Sequence, residues 1–289
     1  MKKCLVIDGN NLLYRCYHAA QHLTHWESDF KTIFVFLRVM ISFLKGNDYQ
    51  GLIVFFDNAK INFRHSIFGE YKINRLATSS KLIQQLEIVQ NLLNQTGIFS
   101  FKLENIEADD LIASFVTQNN SYDLFFDILS QDKDLMQLLS PQVNICKYID
   151  KKNIVYSYGS FLKEYEFLPT NYVDYLSLLG DKSDNIPGLE GIGSKKPQQL
   201  IKQFTTVENL YQNINFLPEK NQELFKKNHS LAIQNKQLIA LKKDLILPIN
   251  WEQWSFAWEK WRRNKQLIIF CQKHQFNSIL KLLANETFK

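Results

Sequence analysis

The chain has 289 residues, 45% of them hydrophobic, and a formal net charge of +5. This composition is typical of a globular protein and excludes a largely disordered chain, while the length suits one large domain or two ordinary ones. The four cysteines show no paired spacing, which argues against a zinc site or a disulfide framework and favours a reducing compartment. No apolar run reaches transmembrane length and the N-terminus lacks a signal-peptide core, so we expect a soluble, cytoplasmic protein without a membrane partner.

Short apolar runs alternate with helical patterns over the first half of the chain. Buried strands are predicted at residues 4–7, 51–56, 99–103, 124–129, 143–148 and 154–156. Helices are predicted from residue 12 and at 30–44, 82–93 and 135–139. This alternation indicates an α/β fold with a parallel sheet flanked by helices. From residue 168 onward the pattern is mostly helical, with helices at 172–179 and about 196–204.

An acidic stretch lies where one helix is predicted to begin. Glu107, Asp109 and Asp110 fall within four residues and precede the buried stripe Leu111, Ile112 and Phe115. Acidic residues are favourable in any first helical turn because of the helix dipole. Crowded carboxylates also repel one another, however, and a hard divalent cation relieves that repulsion.

Three predicted strands end at or near an aspartate, namely Asp8, Asp57 and Asp132. Each alone is unremarkable, because aspartate commonly starts a turn. In a parallel sheet, however, the active crevice lies outside the carboxyl ends of the strands. The three aspartates and the acidic stretch are therefore expected along one edge of one sheet.

A glycine-rich loop joins the predicted helices at 172–179 and 196–204. Asp181 and Asp184 precede it, and Lys195 lies within it. Exposed amides between two helices can face a phosphate group, although a plain turn has the same glycine pattern.

Together these segments resemble the 5′–3′ exonuclease family, which comprises the N-terminal nuclease domain of bacterial DNA polymerase I, its stand-alone relatives and, more distantly, the flap endonucleases. The matching segments are Val-Ile-Asp-Gly-Asn-Asn-Leu-Leu-Tyr-Arg at 6–15, Phe-Phe-Asp-Asn-Ala-Lys at 55–60, Phe-Arg-His at 63–65, Glu-Tyr-Lys-Ile-Asn-Arg at 70–75, Glu-Ala-Asp-Asp at 107–110, Asp-Lys-Asp-Leu at 132–135 and Leu-Gly-Asp at 179–181, continuing to Gly193. No segment resembles the polymerase portion, so we expect a free-standing nuclease.

The resemblance implies two domains. Residues 1–167 would form a PIN-like nuclease domain with a mobile helical arch near 63–81. Residues 168–289 would form a helical C-terminal domain with a helix–hairpin–helix DNA-binding motif near 172–204.

The resemblance also implies a full set of metal ligands. These are Asp8, Asp57, Glu107, Asp109, Asp110, Asp132, Asp134, Asp181 and Asp184. Two divalent ions about 4 Å apart would activate water and stabilise the leaving oxygen of a phosphodiester. Oxygen ligands suit Mg²⁺, with Mn²⁺ as a substitute, better than zinc. The first five acids would serve one side of the metal pair, and the last four would serve the other.

Basic residues complete the implied site. Lys72 and Arg75 would contact the scissile phosphate, Arg15 would hold a neighbouring phosphate, and Arg64 is assigned to DNA binding; a solvated basic loop is the alternative for the segment from 63 to 81. The hairpin would bind duplex phosphates through Gly191, Gly193, Ser194, Lys195 and Lys196, with a K⁺ ion as a further candidate ligand. Here Lys196-Pro197 stands where the family usually has Thr-Ala. Such contacts are independent of base sequence and depend strongly on salt.

Four tryptophans at positions 251, 254, 258 and 261 form a stripe with helical spacing. Neighbouring basic residues allow base stacking, but an aromatic face packed on the protein body is the preferred interpretation.

We therefore expect a Mg²⁺-dependent 5′–3′ exonuclease that acts on double-stranded DNA, with flap and 5′-overhang endonuclease activity, in DNA replication or repair. Its substrates would be duplex DNA with 5′ ends or flaps and RNA-primer/DNA junctions, its functional partner a separate DNA polymerase, and its state a monomer. A non-catalytic, structure-specific DNA-binding module and a PIN-like ribonuclease are the alternatives. The complete acid set argues against the first, and the hairpin clamp against the second.

Overall fold

A computed structural model describes residues 1–23, 30–58, 61–75, 79–120, 123–193 and 195–284. Within these ranges the strands are β1 Lys2–Asp8, β2 Tyr49–Phe55, β3 Phe99–Phe101, β4 Leu124–Leu129, β5 Val143–Ile149 and β6 Lys152–Tyr156. They form one six-stranded sheet in the order β3-β2-β1-β4-β5-β6. The predicted strands and the α/β class are confirmed.

The first five strands are parallel, whereas β6 pairs antiparallel with β5. Asp150 and Lys151 join them, and both have positive φ angles, 49° and 63°. Two such residues form the tight hairpin turn that matches the twist of antiparallel strands. The sheet is therefore mixed rather than wholly parallel.

The helices in the described ranges surround this sheet and continue beyond it. Their bounds are α1 Gly9–Gln21, α2 Lys31–Leu44, α3 Phe63–Ile67, α4 Ser80–Gln95, α5 Ala108–Gln118, α6 Tyr158–Tyr165, α7 Tyr172–Leu179, α8 Lys195–Phe204, α9 Val207–Gln212, α10 Glu219–Lys227, α11 His229–Ile239, α12 Trp251–Trp254, α13 Trp258–Trp261, α14 Lys265–Lys273 and α15 Asn277–Ala284. None of the described helices is long and apolar enough to cross a bilayer.

The two faces of the sheet bury two apolar clusters. Along β1, Cys4 and Val6 contribute to one cluster, while Leu5 and Ile7 contribute to the other. This is the alternation expected of a strand covered on both faces. The first cluster includes α5, α7 and α11, so the sheet and the C-terminal helices share a continuous core.

A helical arch is predicted for the segment from 63 to 81, and the structure describes most of this segment. It contains the short helix α3, turns over residues 69–74 and the start of α4, while residues 76–78 lie outside the described ranges. Tyr71 in this segment is buried, so these turns pack onto the protein.

The tryptophan stripe packs against the body of the protein. Trp254, Trp258 and Trp261 are buried, and the Trp254 ring lies edge-on to Phe115 with centroids 5.0 Å apart. A Cβ atom on Gly51 of β2 would lie 2.4 Å from the Trp254 ring, so the glycine makes room for the indole. The preferred interpretation of the stripe is therefore correct.

Candidate active site

The predicted acids converge at the carboxyl ends of the parallel strands. Asp8 ends β1 and caps α1, where one carboxylate oxygen accepts a hydrogen bond from the Asn11 N–H at 3.0 Å. Its other oxygen accepts from the Ser130 hydroxyl, just beyond β4, at 2.9 Å. Asp57 follows β2 and accepts from the Ala108 N–H at 2.6 Å, which ties it to the start of α5. Strand ends and helix starts thus fix the orientation of these side chains.

A first group of carboxylates lies at the start of α5. Glu107, Asp109 and Asp110 offer oxygens that all lie within 4.8 Å of one another. The helical period brings Glu107 and Asp110 to one face, as the sequence indicated. Such spacing matches a site for one divalent cation.

A second group comes from a different part of the chain. Asp134, at the start of a 3₁₀-helix (Asp134–Leu138), and Asp181 and Asp184 also offer oxygens within 4.8 Å of one another. Asp132 orients Asp134 by accepting a hydrogen bond from its N–H at 2.9 Å. The two groups contain six of the nine predicted ligands, and Asp8, Asp57 and Asp132 lie beside them.

Two glycines allow the loop after α7 to return to this edge. Gly180 has a φ of +79°, and a Cβ atom there would lie 2.3 Å from the Gly188 nitrogen. Between the glycines, Asp181 and Ile186 exchange backbone hydrogen bonds of 2.8 and 2.7 Å. The resulting tight loop holds Asp181 and Asp184 against the sheet.

Burial and mutual repulsion keep protons on several of these acids when no metal is bound. Burial, reinforced by Asp57, raises the pKa of Asp8 to about 7. Burial and neighbouring carboxylates raise the pKa of Asp109 and the pKa of Asp134 well above the ordinary range. A coupled set of carboxylates such as this one binds a divalent cation by releasing protons.

Four cationic side chains contact the acids in the described part of the chain, namely Arg64, Lys72, Arg75 and Lys133. Lys72 contacts Glu107 and lies 3.7 Å from Asp184, while Arg75 bonds Asp184 at 2.6 Å. Lys133 lies 3.1 Å from Asp181. Although burial raises the pKa of Glu107, Lys72 and Arg64 lower it below its ordinary value.

Lys72 is held in a conformation that a non-glycine residue rarely adopts. Its φ is 59°, and its N–H donates to the Asp184 carbonyl at 3.0 Å. A left-handed residue costs of order 1 kcal/mol, which the surrounding contacts offset.

Tyr71 links the two acid groups. Its hydroxyl lies 3.2 Å from a Glu107 oxygen and 3.2 Å from an Asp184 oxygen. One hydroxyl proton can serve only one acceptor at a time, so Tyr71 bridges the groups through alternative hydrogen bonds.

Arg64, a predicted DNA-binding residue, lies in the interior of the protein. It is 1% exposed and donates to Glu107 at 2.8 Å and to both Asp110 oxygens at 2.7 and 2.9 Å. Its Nε donates to the Leu238 carbonyl at 2.7 Å. A buried guanidinium engaged in this way presents no surface to DNA in this structure, so its burial argues against the predicted DNA-binding role.

The remaining predicted residues lie around the acids or at the hairpin. Arg15 is half-buried on α1 and donates to the Tyr148 carbonyl at 3.5 Å. At the hairpin, Gly191 has a φ of +79°, Gly193 and Lys195 are exposed, and Lys196 bonds the Asn221 side chain at 2.6 Å. Ser194 lies outside the described residues.

Sequence reasoning missed Tyr71 and Lys133 as members of the site. Both were inside recognised motifs, but neither residue type signals a contact with several carboxylates. The available clue was their position: Lys133 lies between two predicted metal ligands, and Tyr71 precedes the predicted phosphate contact Lys72.

The donor set fits hard divalent cations. The acidic side chains gathered here all offer carboxylate oxygens. One of these oxygens, the buried Oδ1 of Asp134, has no hydrogen-bond partner among the described residues. A buried polar atom without a partner is costly, and a bound cation would satisfy it.

Comparisons with known proteins agree with this geometry. The family model described as "5′-3′ exonuclease, N-terminal resolvase-like domain" matches residues 3–166, and "5′-3′ exonuclease, C-terminal SAM fold" matches residues 167–264. A "5′-3′ exonuclease" of Buchnera aphidicola subsp. Schizaphis graminum is 33% identical, with 87% of this chain and 90% of that protein covered. The DNA polymerase I of Bacillus caldotenax is also 33% identical over 98% of this chain, which spans only 32% of the polymerase.

A solved structure shares the fold. It is the flap endonuclease of bacteriophage T5 in a pseudo-enzyme-product complex with DNA and metal ions, with a TM-score of 0.69 and 21% identity, covering 98% of this chain and 100% of that one. The two family models follow one another along the chain and together span residues 3–264. This chain belongs to the 5′–3′ exonuclease family.

Proposed function

We propose that the chain is a metal-dependent 5′–3′ exonuclease that acts on double-stranded DNA and also cuts flaps and 5′ overhangs. The observation that carries this proposal is the convergence of two carboxylate groups, each within 4.8 Å, with Lys72 and Arg75 beside them. Family membership supports the direction of attack, and the DNA-bound T5 structure supports the substrate class.

Glu107, Asp109 and Asp110 would hold one cation, and Asp134, Asp181 and Asp184 would hold the other. Asp8, Asp57 and Asp132 would orient these ligands or bind water around the ions. When bound, two hard cations supply a nucleophilic hydroxide and neutralise charge on the leaving oxygen. Mg²⁺ is the proposed physiological ion and Mn²⁺ its substitute, because every donor is an oxygen.

Lys72 and Arg75 would leave the carboxylates and bind the scissile phosphate once cations neutralise the acids. The Lys72 and Arg75 side chains both lie within 4 Å of Asp184. Half of the Arg75 side chain is exposed, so it is free to turn toward a bound phosphate. A positive side chain placed where the transition state gains negative charge accelerates hydrolysis. Arg15 would hold a neighbouring phosphate from α1.

The hairpin between α7 and α8 would bind the duplex away from the cleaved bond. The exposed backbone around Gly191 and Gly193, together with Ser194, Lys195 and Lys196, would contact phosphates, with K⁺ as an additional ligand. In this arrangement the distance from hairpin to acids would set where the strand is cut.

The biological setting follows as a further part of this proposal. Removal of RNA primers at RNA/DNA junctions, in replication or repair, would require a DNA polymerase to fill the gap. The polymerase I relatives, which carry a matching segment in a longer chain, support such a partnership. We propose that the nuclease acts as a cytoplasmic monomer.

The decisive experiment compares end-labelled flap, 5′-overhang, blunt and single-stranded DNA, and an RNA-primed duplex, in Mg²⁺, Mn²⁺ or EDTA. We expect short products from the 5′ end of duplex substrates only with a divalent ion. Lys72→Met should slow single-turnover cleavage by about 10²–10³-fold, as loss of one transition-state contact does. Tight flap binding without cleavage would favour a non-catalytic binding module, and preferential cleavage of RNA would favour a ribonuclease.

A further inference from the structure

An irregular segment after α11, which we call the strap (residues 240–247), is fastened to one face of α5. Asp110, Ser114 and Gln118 are four residues apart and therefore share that face. Asp110 accepts from the Lys242 N–H at 2.8 Å, and the Ser114 hydroxyl donates to the Lys242 carbonyl at 2.9 Å. Gln118 donates to the Leu245 carbonyl at 2.8 Å.

Arg64 lies where the strap, α11 and the first carboxylate group meet. It grips the two Asp110 oxygens with two nitrogens and Glu107 with one of them, while it bonds the carbonyls of Leu238 and Ala240 at 2.7 and 3.3 Å. The fork geometry of a guanidinium fixes both the position and the plane of a carboxylate.

Helix α11, which ends next to the strap, also contacts the segments on either side of the loop that leads to the hairpin. Asn235 on α11 is fully buried and donates to the carbonyls of Ser177, at the end of α7, and Pro187, in the loop before the hairpin, at 2.9 and 2.7 Å. One turn later, Leu238 accepts from Arg64. A single helix therefore connects the proposed duplex-binding region to the residue that grips two proposed metal ligands.

We infer that Arg64 is a positioning residue: it holds Glu107 and Asp110 in their metal-binding orientation and anchors them to the end of α11. This inference rests on the proposed function, because it assumes that the first carboxylate group binds a cation. Residues that orient metal ligands from behind commonly contribute 10- to 100-fold to metal affinity.

Charge and position predict opposite effects of removing Arg64. As a cation beside two carboxylates, Arg64 competes with a metal ion, so its removal would strengthen metal binding if charge alone mattered. As an orienting group, its removal frees both carboxylates, and metal binding weakens. Lys72 provides a matched control, because it also places a positive charge on Glu107 but contacts neither Asp110 nor the strap among the described residues.

The test measures Mn²⁺ binding to the full chain without DNA, by the electron paramagnetic resonance signal of free Mn²⁺, for wild type, Arg64→Gln, Arg64→Lys, Lys72→Met and Ser114→Ala. We expect roughly 10-fold or more weaker binding at one site in both Arg64 variants, because one ammonium group cannot reproduce the fork. Lys72→Met should bind Mn²⁺ as tightly as wild type or more tightly. Ser114→Ala, which loosens the strap one turn away, should leave the affinity unchanged.

A second measurement separates positioning from contact with DNA. In EDTA, the slope of log K against log salt for duplex binding should be the same for Arg64→Gln and wild type, whereas loss of one phosphate contact would reduce it by about 0.9.

Tighter or unchanged Mn²⁺ binding by Arg64→Gln overturns the inference. Circular dichroism spectra that show both Arg64 variants to be unfolded also overturn it, because Arg64 would then only stabilise the fold. Wild type that binds no Mn²⁺ would instead overturn the proposed function. The two failures are therefore distinguishable.

Discussion

Asp132 accepts a hydrogen bond from the backbone N–H of Asp134 at 2.9 Å. The Asp134 carboxylate is thereby held beside Asp181 and Asp184, and its Oδ1 has no hydrogen-bond partner within the described ranges. The fold thus keeps a buried, incompletely satisfied carboxylate next to two others. Such an arrangement lowers stability and is retained where function requires it.

Asp134→Asn should therefore stabilise the metal-free protein and inactivate it. The amide is neutral at every pH and can donate to a neighbouring carboxylate, so folding near neutral pH no longer has to force a proton onto a buried acid whose pKa is raised. In EDTA the Tm should rise, by about 2–4 °C for each kcal/mol gained in a chain of this size. Cleavage in Mg²⁺ should fall by at least about 10²-fold. A lower Tm in EDTA would contradict the view that this carboxylate is held at a cost.

The pH dependence of stability should also be unusual in the absence of metal. The pKa of Asp8 rises from its ordinary 3.8 to about 7 through burial and then repulsion by Asp57. Between these values the folded state binds more protons than the unfolded state, so stability falls as pH rises, by up to about 1.4 kcal/mol per pH unit for each such proton. Glu107 and Asp181, whose pKa values are lowered, act only near or below pH 4.5.

We therefore expect a higher Tm at about pH 5.5 than at about pH 7.5 in EDTA, and the reverse in saturating Mg²⁺, since metal binds the deprotonated carboxylates. Asp8→Asn should flatten the profile in EDTA. A Tm that rises steadily over this range without metal would show that the acids are already ionised.

Two neighbouring aspartates should differ when substituted. Asp110→Ala leaves the buried Arg64 guanidinium without its main partner, and breaking a buried ion pair costs about 3–5 kcal/mol. Asp109→Asn removes a carboxylate whose pKa is raised by burial and by Glu107, so it should cost little stability. Both variants should lose cleavage and keep duplex binding within a few-fold. Urea denaturation in EDTA distinguishes them, and equal midpoints would contradict the Arg64–Asp110 pairing.

Trp254→Ala should act on stability and not on DNA binding. The indole is 2% exposed and packs on Phe115 and Gly51, and truncation of a buried tryptophan costs about 3–5 kcal/mol. Duplex affinity of the folded fraction, measured at fixed salt, should match wild type. Loss of affinity without loss of stability would restore base stacking as the role of the stripe.

Lys195→Ala should have the converse effect. Lys195 is exposed at the start of α8, so its loss should leave the Tm within experimental error. If it contacts a phosphate, the slope of log K against log salt falls by about 0.9, measured between about 50 and about 200 mM salt. An unchanged slope would place the duplex elsewhere on the protein.

The strands and the edge that carries the acids were predictable because each feature is local. An apolar run of four to seven residues that ends in aspartate identifies both the strand and its carboxyl end, as at Asp8 and Asp57. Helix α7 was predicted at its observed bounds for the same reason: its apolar pattern stops at the glycine that ends it.

The burial of Arg64 was not predictable in this way. In sequence it stands in a basic segment, where an arginine is normally solvated, and its partners Glu107, Asp110 and Leu238 lie 43 to 174 residues away. The contacts of α5 with the strap were weakly indicated by the sequence. Asp110, Ser114 and Gln118 form a polar row on α5; the first two are buried among otherwise apolar positions, and buried polar residues in such a row indicate hydrogen bonds to another segment.

The strap also decides which part of this protein can exist alone. A fragment that stopped at the end of the sheet would expose the polar row of α5, strip Arg64 of its carbonyl partners, and leave Gln137 without the backbone of Ile239 and Leu241. The part of the chain that carries the sheet and the acids therefore should not fold stably without the strap. A minimal nuclease cut from this chain has to include the residues up to the end of the strap, and a shorter fragment should be recovered as an aggregating or partly folded product.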